Sequence, residues 1–143
     1  MIEQRLNYSQ LSSSTYQALV NALMTLENSS LDKSLIELIF MRVSQINGCA
    51  YCLNMHGKAL RDSGVSQSKI DMLAGWQVSG AYNDAERAAL AWAESVTHIA
   101  TTGAPDNAFD LLKKYFSDTE ISDLTFTISI MNAFNRLAVS LRQ

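Results

Sequence analysis

The sequence predicts an all-α fold of roughly six to seven helices, and three observations carry that reading. Apolar residues recur every three or four positions along several long stretches, and no stretch sustains the two-residue alternation of a half-buried strand. Punctuation is sparse, with one proline, Pro105, and six glycines in 143 residues; that suits a few long helices better than many short strands. Capping patterns stand where helices should open, as in Asn83-Asp-Ala-Glu86 and Ser117-Asp-Thr-Glu120.

Taken in order, the first predicted helix runs from about Ser13 to Leu26, with Tyr16, Leu19, Val20, Leu23 and Met24 at helical spacing. Asn28-Ser-Ser30 ends it, and Asp32 can cap a second helix from about Lys33 to Ile46. Asn47-Gly48 is a break. A third helix begins at about Cys49 and runs to about Ser63, where Gly64 stops it. A short helix from about Ser66 to Trp76 precedes a loop marked by Gly75 and Gly80. Asn83 opens a long helix to about Ala100, whose apolar face includes Ala85, Ala89, Trp92, Val96 and Ile99. Thr101–Pro105 is a turn, and Asp106 can cap a helix to about Phe116. The last helix carries Ile121, Leu124, Ile128, Met131, Phe134, Ala138 and Leu141. No linker, repeat or low-complexity tract interrupts the chain, so residues 1–143 read as one domain.

Charged residues make up 17% of the chain, against about 25% in a typical soluble domain. With 48% apolar residues, more apolar surface is expected than one small domain can hide, which points to self-association. A net charge of -3 offers no basic footprint and argues against nucleic acid. The segment Met1-Ile-Glu-Gln-Arg-Leu6 lacks a signal peptide's apolar core. No apolar run approaches the ~20 residues of a membrane span. The expectation is a cytoplasmic protein, and there a CxxC pair is more often catalytic or metal-binding than a structural staple.

The chemistry concentrates between Leu35 and His56. That stretch holds both cysteines, Cys49 and Cys52, and one of two histidines, His56. Residues three or four apart on a helix are neighbours. Cys49 and Cys52 therefore share a face with Cα atoms roughly 5 to 6 Å apart, within the disulfide range of about 4.4 to 6.8 Å. His56 lies one turn beyond Cys52, on the same stripe. A cysteine in the first turn feels the positive end of the helix dipole, which favours thiolate and points to Cys49. An imidazole one turn away can take a thiol proton, which points instead to Cys52. Glu37 sits in the apolar run Leu35–Met41 and needs a polar partner there. His56 is the candidate, and Arg42 is the rival.

Zinc is the competing use of these residues, with Cys49, Cys52 and His56 as ligands and His98 or Glu37 as a fourth. Structural zinc sites normally take two ligand pairs from separate elements. This sequence has no second CxxC and no HxxxH, so no metal is expected. Tyr51, between the cysteines, is a candidate accessory residue through its hydroxyl. His98 reads as exposed, Trp76 and Trp92 as core or subunit contacts, and Asn135 and Arg136 as capping or subunit-contact residues.

The pattern Glu37…Cys49-x-x-Cys52-x-x-x-His56 resembles the alkylhydroperoxidase D-like, carboxymuconolactone decarboxylase superfamily. Supporting matches are Asn47–His56 as a block, Ala74-Gly-Trp76, Glu86-Arg-Ala-Ala-Leu-Ala-Trp-Ala-Glu94 and Asn132-Ala-Phe-Asn-Arg136. The resemblance implies an AhpD-like helical domain assembling as a trimer or hexamer. It implies reduction of alkyl hydroperoxides with no cofactor beyond a redox-active Cys49–Cys52 disulfide, restored by a lipoyl-type or thioredoxin-like dithiol. By the same resemblance Cys52 is the attacking thiolate, Cys49 the resolving thiol, and His56 with Glu37 the proton relay. Tyr51 departs from the family's best-known member, which has histidine before the second cysteine. A thiol–disulfide oxidoreductase or redox sensor is the alternative activity.

Overall fold

The computed structural model describes residues 2–143, and helices supply all of its regular secondary structure among them. In chain order these are α1 (Tyr8–Leu11), α2 (Ser13–Thr25), α3 (Lys33–Asn47), α4 (Ala50–Asp62), α5 (Gln67–Asp71), α6 (Asp84–Thr97), α7 (Ile99–Thr102), α8 (Asp106–Leu112) and α9 (Asp118–Leu141). Short 3-10 turns occupy Leu26–Asn28 and Leu73–Val78. No helix among the described residues is long and apolar enough to cross a membrane.

The core forms where α3, α6 and α9 meet, with α4 laid along α3 and α8 against α6. Ile39, Val43, Leu60, Leu90, Leu112, Leu124 and Ile128 are wholly buried there. Each such aliphatic side chain contributes about 1.5–3 kcal/mol relative to exposure. The predicted stripe of α9 is the observed one, with Ile121, Leu124, Ile128, Met131 and Ala138 buried.

Local chemistry explains most of the ends. Asn83 and Ser117 each complete a capping box with Glu86 and Glu120. Gly48 takes a left-handed conformation (φ 67°) that closes α3, a conformation glycine adopts without Cβ strain. Asp32 occupies the cap position of α3 but its side chain makes no capping bond. Pro105, not Asp106, is the cap of α8, with Asp106 as its first helical residue.

Several expectations are corrected. The helix expected over 66–76 is α5, which ends at Asp71, followed by a 3-10 turn over Leu73–Val78 that Gly75 interrupts with non-helical dihedrals (φ -105°, ψ 23°). The helix expected to reach Ala100 stops at Thr97; His98 turns the chain into α7 and Ile99 is exposed, not part of the core face. No residue of α2 is fully buried, and Met24 is exposed. On its half-buried side, Tyr16, Leu19, Val20 and Leu23, the residues Tyr16, Val20 and Leu23 line a cavity, and Leu23 also packs against the core. Asn135, read as a cap or subunit contact, is wholly buried within the chain. Helix α1 was not expected at all.

Candidate active site

The link between α3 and α4 positions the sulfurs. Gly48 reverses the chain after Asn47, and the Cys49 N–H donates to the Ser44 carbonyl at 3.1 Å. Cys49 then serves as the N-cap of α4, its Sγ accepting the Cys52 N–H at 3.3 Å. This cap arrangement carries Cys52 one turn into the helix, and the two sulfurs are joined as a disulfide with Cα atoms 5.3 Å apart. Both side chains are buried, and with Ala138 of α9 they form a small cluster separate from the main core.

His56 lies one turn after Cys52 and is 4% exposed. Its ring packs on Phe40 of α3, with centroids 4.9 Å apart. Its Nδ1 is 2.8 Å from Oε2 of Glu37. A carboxylate only accepts, so in the neutral imidazole the hydrogen belongs on Nδ1 and the lone pair on Nε2. That Nε2 is buried and has no protein partner. An orphaned acceptor inside a folded protein is uncommon, and here it belongs to a ring bordering the cavity that Cys52 also borders.

The cavity measures about 210 Å³. Val20 and Leu23 of α2, Met55 of α4, and Met131, Phe134 and Ala138 of α9 give it an apolar wall. Tyr16, Tyr51 and Gln143 supply the uncharged polar groups, and no Asp, Glu, Lys or Arg lines it. Tyr8 hydrogen-bonds Gln143 and stacks edge-on against Tyr16. Burial pushes the Tyr8 hydroxyl pKa up, assisted by the nearby Tyr16 and Tyr51 hydroxyls. On the other side of His56 a second cavity of about 370 Å³ is bordered by Glu37, Glu27, Lys33, Ile36 and Phe40. The Glu37 side chain is 28% exposed and the His56 side chain 6%, so the carboxylate is the more solvent-accessible end of the pair.

The structure thus brings Glu37, Cys49, Cys52 and His56 into one locus, with Tyr51 at the rim and 47% exposed. It separates the two arguments about the cysteines: Cys49 takes the helix cap, and Cys52 borders the cavity that His56 also borders. Arg42 is not the partner of Glu37. Its guanidinium pairs with Glu94 at 2.8 Å, and Trp76 Nε1 donates to the same oxygen at 2.7 Å. Arg87 binds the Trp76, Gln77 and Ser79 carbonyls. The motif blocks around Trp76 and Glu86–Glu94 therefore staple the 3-10 turn to α6 and α3, away from the sulfurs. His98 is exposed, and among the described residues no three His, Cys, Asp or Glu side chains are grouped to hold a metal.

Sequence reasoning missed the cavity walls, Tyr16, Met131 and Phe134, because α2 folds over α4 and α9 only in three dimensions. It also missed Asn135. The signal was there: Asn135 continues the apolar stripe Ile128, Met131, Ala138, where a polar side chain must find partners inside.

Comparison with known proteins gives the site its setting. A solved protein of unknown function from Agrobacterium tumefaciens, provisionally described as an antioxidant defence protein AhpD, is 41% identical to this chain. It superposes with a TM-score of 0.95, over 99% of this chain and 97% of that one. The uncharacterized protein YdfG of Bacillus subtilis (strain 168) is 29% identical over 140 residues, 98% of this chain and 95% of its own. Alkyl hydroperoxide reductase AhpD of Nocardia farcinica is 49% identical over 43 residues, 30% of this chain and 24% of its own. The model of the carboxymuconolactone decarboxylase family matches residues 13–95. With that match and an AhpD-like fold, the chain belongs to the carboxymuconolactone decarboxylase family.

Proposed function

We propose that this protein is a thiol-dependent peroxidase that reduces organic hydroperoxides through a Cys49–Cys52 dithiol cycle. One observation carries the reading: His56, whose Nε2 is buried and unpartnered and whose Nδ1 is held by Glu37, borders the same cavity as Cys52. In the reduced protein Nε2 takes the Cys52 proton. The thiolate attacks the terminal peroxide oxygen, the O–O bond breaks, and the imidazolium returns its proton to the departing alkoxide. The products are an alcohol and Cys52 sulfenic acid. The Cys49 thiol then attacks that sulfur; an S–S bond forms, the S–O bond breaks, and water leaves. A dithiol donor of lipoyl or thioredoxin-like type attacks the disulfide, gives up two electrons and two protons, and departs as its own disulfide. No further cofactor enters the cycle. Such donors are kept reduced in the cytoplasm, which is the compartment this reading assigns.

Cavity composition supports an organic substrate over hydrogen peroxide, since apolar walls reward burial of carbon. Exposed Val78, Phe126 and Val139 support self-association into a trimer or hexamer. A second reading, thiol–disulfide exchange without peroxidase activity, is favoured by Tyr51, which offers a weak acid where a base would assist peroxide cleavage. Parallel assays with an organic hydroperoxide and with a small model disulfide, each driven by a dithiol, separate the two. Peroxide turnover that vanishes in Cys52→Ser is expected. Full peroxide turnover by Cys52→Ser would end the proposal, and turnover of the model disulfide alone would leave the second reading.

A further inference from the structure

A lattice of amides, with Asn135 wholly buried and Asn47 and Asn132 half-buried, adjoins the Cys49 turn outside the cavity. Asn47, two residues before Cys49, donates its Nδ2 to Oδ1 of Asn132 and Oδ1 of Asn135, both at 3.0 Å. Asn135 Nδ2 donates to Ser44 Oγ at 3.1 Å, and the carbonyl of the same Ser44 accepts the Cys49 N–H. Asn132 is held in turn by Thr97 Oγ1 at 3.1 Å and by Arg136 Nη1 at 2.7 Å. Ser44 and Asn135 are wholly buried. None of these side chains borders the cavity shared by Cys52 and His56.

Burying amides brings little net stability over well-packed aliphatic side chains, and a partly satisfied network costs more than none. What directional bonds add is register. Helices α3 and α9 pack along apolar stripes that a shift of one turn would still cover. The amides select one alignment, and that alignment sets Cys49 against Ala138 of α9 with its backbone tied to Ser44.

We propose that Asn47 is a positioning residue for Cys49, and that the Asn47–Asn132–Asn135–Ser44 lattice thereby sets the redox poise of the dithiol. The inference rests on the reading that Cys49 and Cys52 cycle between thiol and disulfide. Holding the last turn of α3 keeps the Cys49 sulfur at high effective concentration beside Cys52. Releasing that turn spreads Cys49 over more positions, disfavours ring closure, and moves the potential to a less negative value.

The test is the equilibrium of the protein disulfide with glutathione, in which two glutathione thiols supply the electrons and protons and leave as glutathione disulfide. Asn47→Leu should lower the equilibrium constant for disulfide formation about tenfold, which is about 30 mV for this two-electron couple. Asn47→Ala replaces it should the leucine variant fail to fold. Arg87→Ala, which loosens the Trp76–Ser79 turn, is the stability control and should lower Tm without moving the constant. A folded Asn47 variant within twofold of wild type overturns the proposal, as does an equal shift in Arg87→Ala. Absence of peroxide turnover in the wild type would sink the peroxidase reading alone, because this equilibrium needs only the thiol pair.

Discussion

Replacing Glu37 by glutamine separates a relay carboxylate from a structural one. The Glu37–His56 contact is 2.8 Å, and the carboxylate is 28% and the imidazole 6% exposed. A charge-assisted hydrogen bond of this length is worth about 1.5–3 kcal/mol net, against about 1 for a neutral one. Glutamine preserves shape and one neutral bond, so Glu37→Gln should cost about 1 kcal/mol, or roughly 2–4 °C in Tm for a chain of this size. The effect on chemistry is of another order. The glutamine amide can donate to Nδ1, which moves the imidazole hydrogen to Nε2 and removes the lone pair from that nitrogen. Losing a positioned general base costs about 10²- to 10⁴-fold in rate, or roughly 2.7–5.5 kcal/mol of barrier.

The assay is hydroperoxide consumption by wild type and Glu37→Gln at saturating dithiol, with thermal unfolding of the same samples. A rate loss of at least a hundredfold beside a small change in Tm is expected. Arg42→Gln should not reproduce it, since Arg42 is spent on Glu94. A folded Glu37→Gln variant with turnover within threefold of wild type would refute the relay argument.

Cys49→Ser should still perform a single oxidation, leaving a Cys52 sulfenic acid that a cyclic diketone captures for mass spectrometry, whereas Cys52→Ser should capture none. Ser117→Ala removes the cap of α9 and should cost about 1 kcal/mol in denaturant unfolding. Glu120 has its pKa lowered, first by the Ser117 backbone N–H and then by the Ser30 and Ser117 side chains. Its contribution is therefore present above the ordinary carboxylate range and lost as pH falls through the depressed folded value, so Glu120→Gln should flatten the acid limb of the stability profile. Tyr82, whose hydroxyl donates to the Lys69 carbonyl, has its pKa raised by burial and then by Glu86. Its contribution is whole below the unfolded tyrosine value and fades as pH rises through the folded one, so Tyr82→Phe should blunt alkaline unfolding followed by circular dichroism.

Sequence periodicity was enough for the parts of the fold whose burial follows local pattern. The α9 stripe, the two capping boxes and the Gly48 break are legible because each depends on residues within one or two turns. Helix ends governed by dihedral choice are less so: Gly75 and His98 interrupt patterns that apolar spacing alone would carry onward. The site splits the same way. Cys49, Cys52 and His56 share one helix start, so spacing brings them together, but Glu37 comes from the neighbouring helix and only tertiary packing chooses between His56 and Arg42. Nothing local says that α2 will fold over Cys52, because Tyr16, Val20 and Leu23 would read the same against any apolar surface.

The two cysteines have competing claims to be the nucleophile, and the proposed cycle gives each of them a role. Cys49 Sγ is the acceptor of the Cys52 N–H and lies at the N-terminus of α4, so a negative charge on that sulfur is stabilised by the helix. Yet Cys49 is 1% exposed and does not border the cavity. Cys52 does, as does His56. In the proposed cycle an incoming thiolate donor meets Cys52 first, and the sulfur it displaces is Cys49, the one whose anion the helix cap favours. The lower the pKa of the departing thiol, the faster it leaves. On this account the cap serves the reductive half of the cycle and the imidazole the oxidative half. The proposed cycle thus has a use both for the base one turn past the second cysteine and for the first cysteine at the cap.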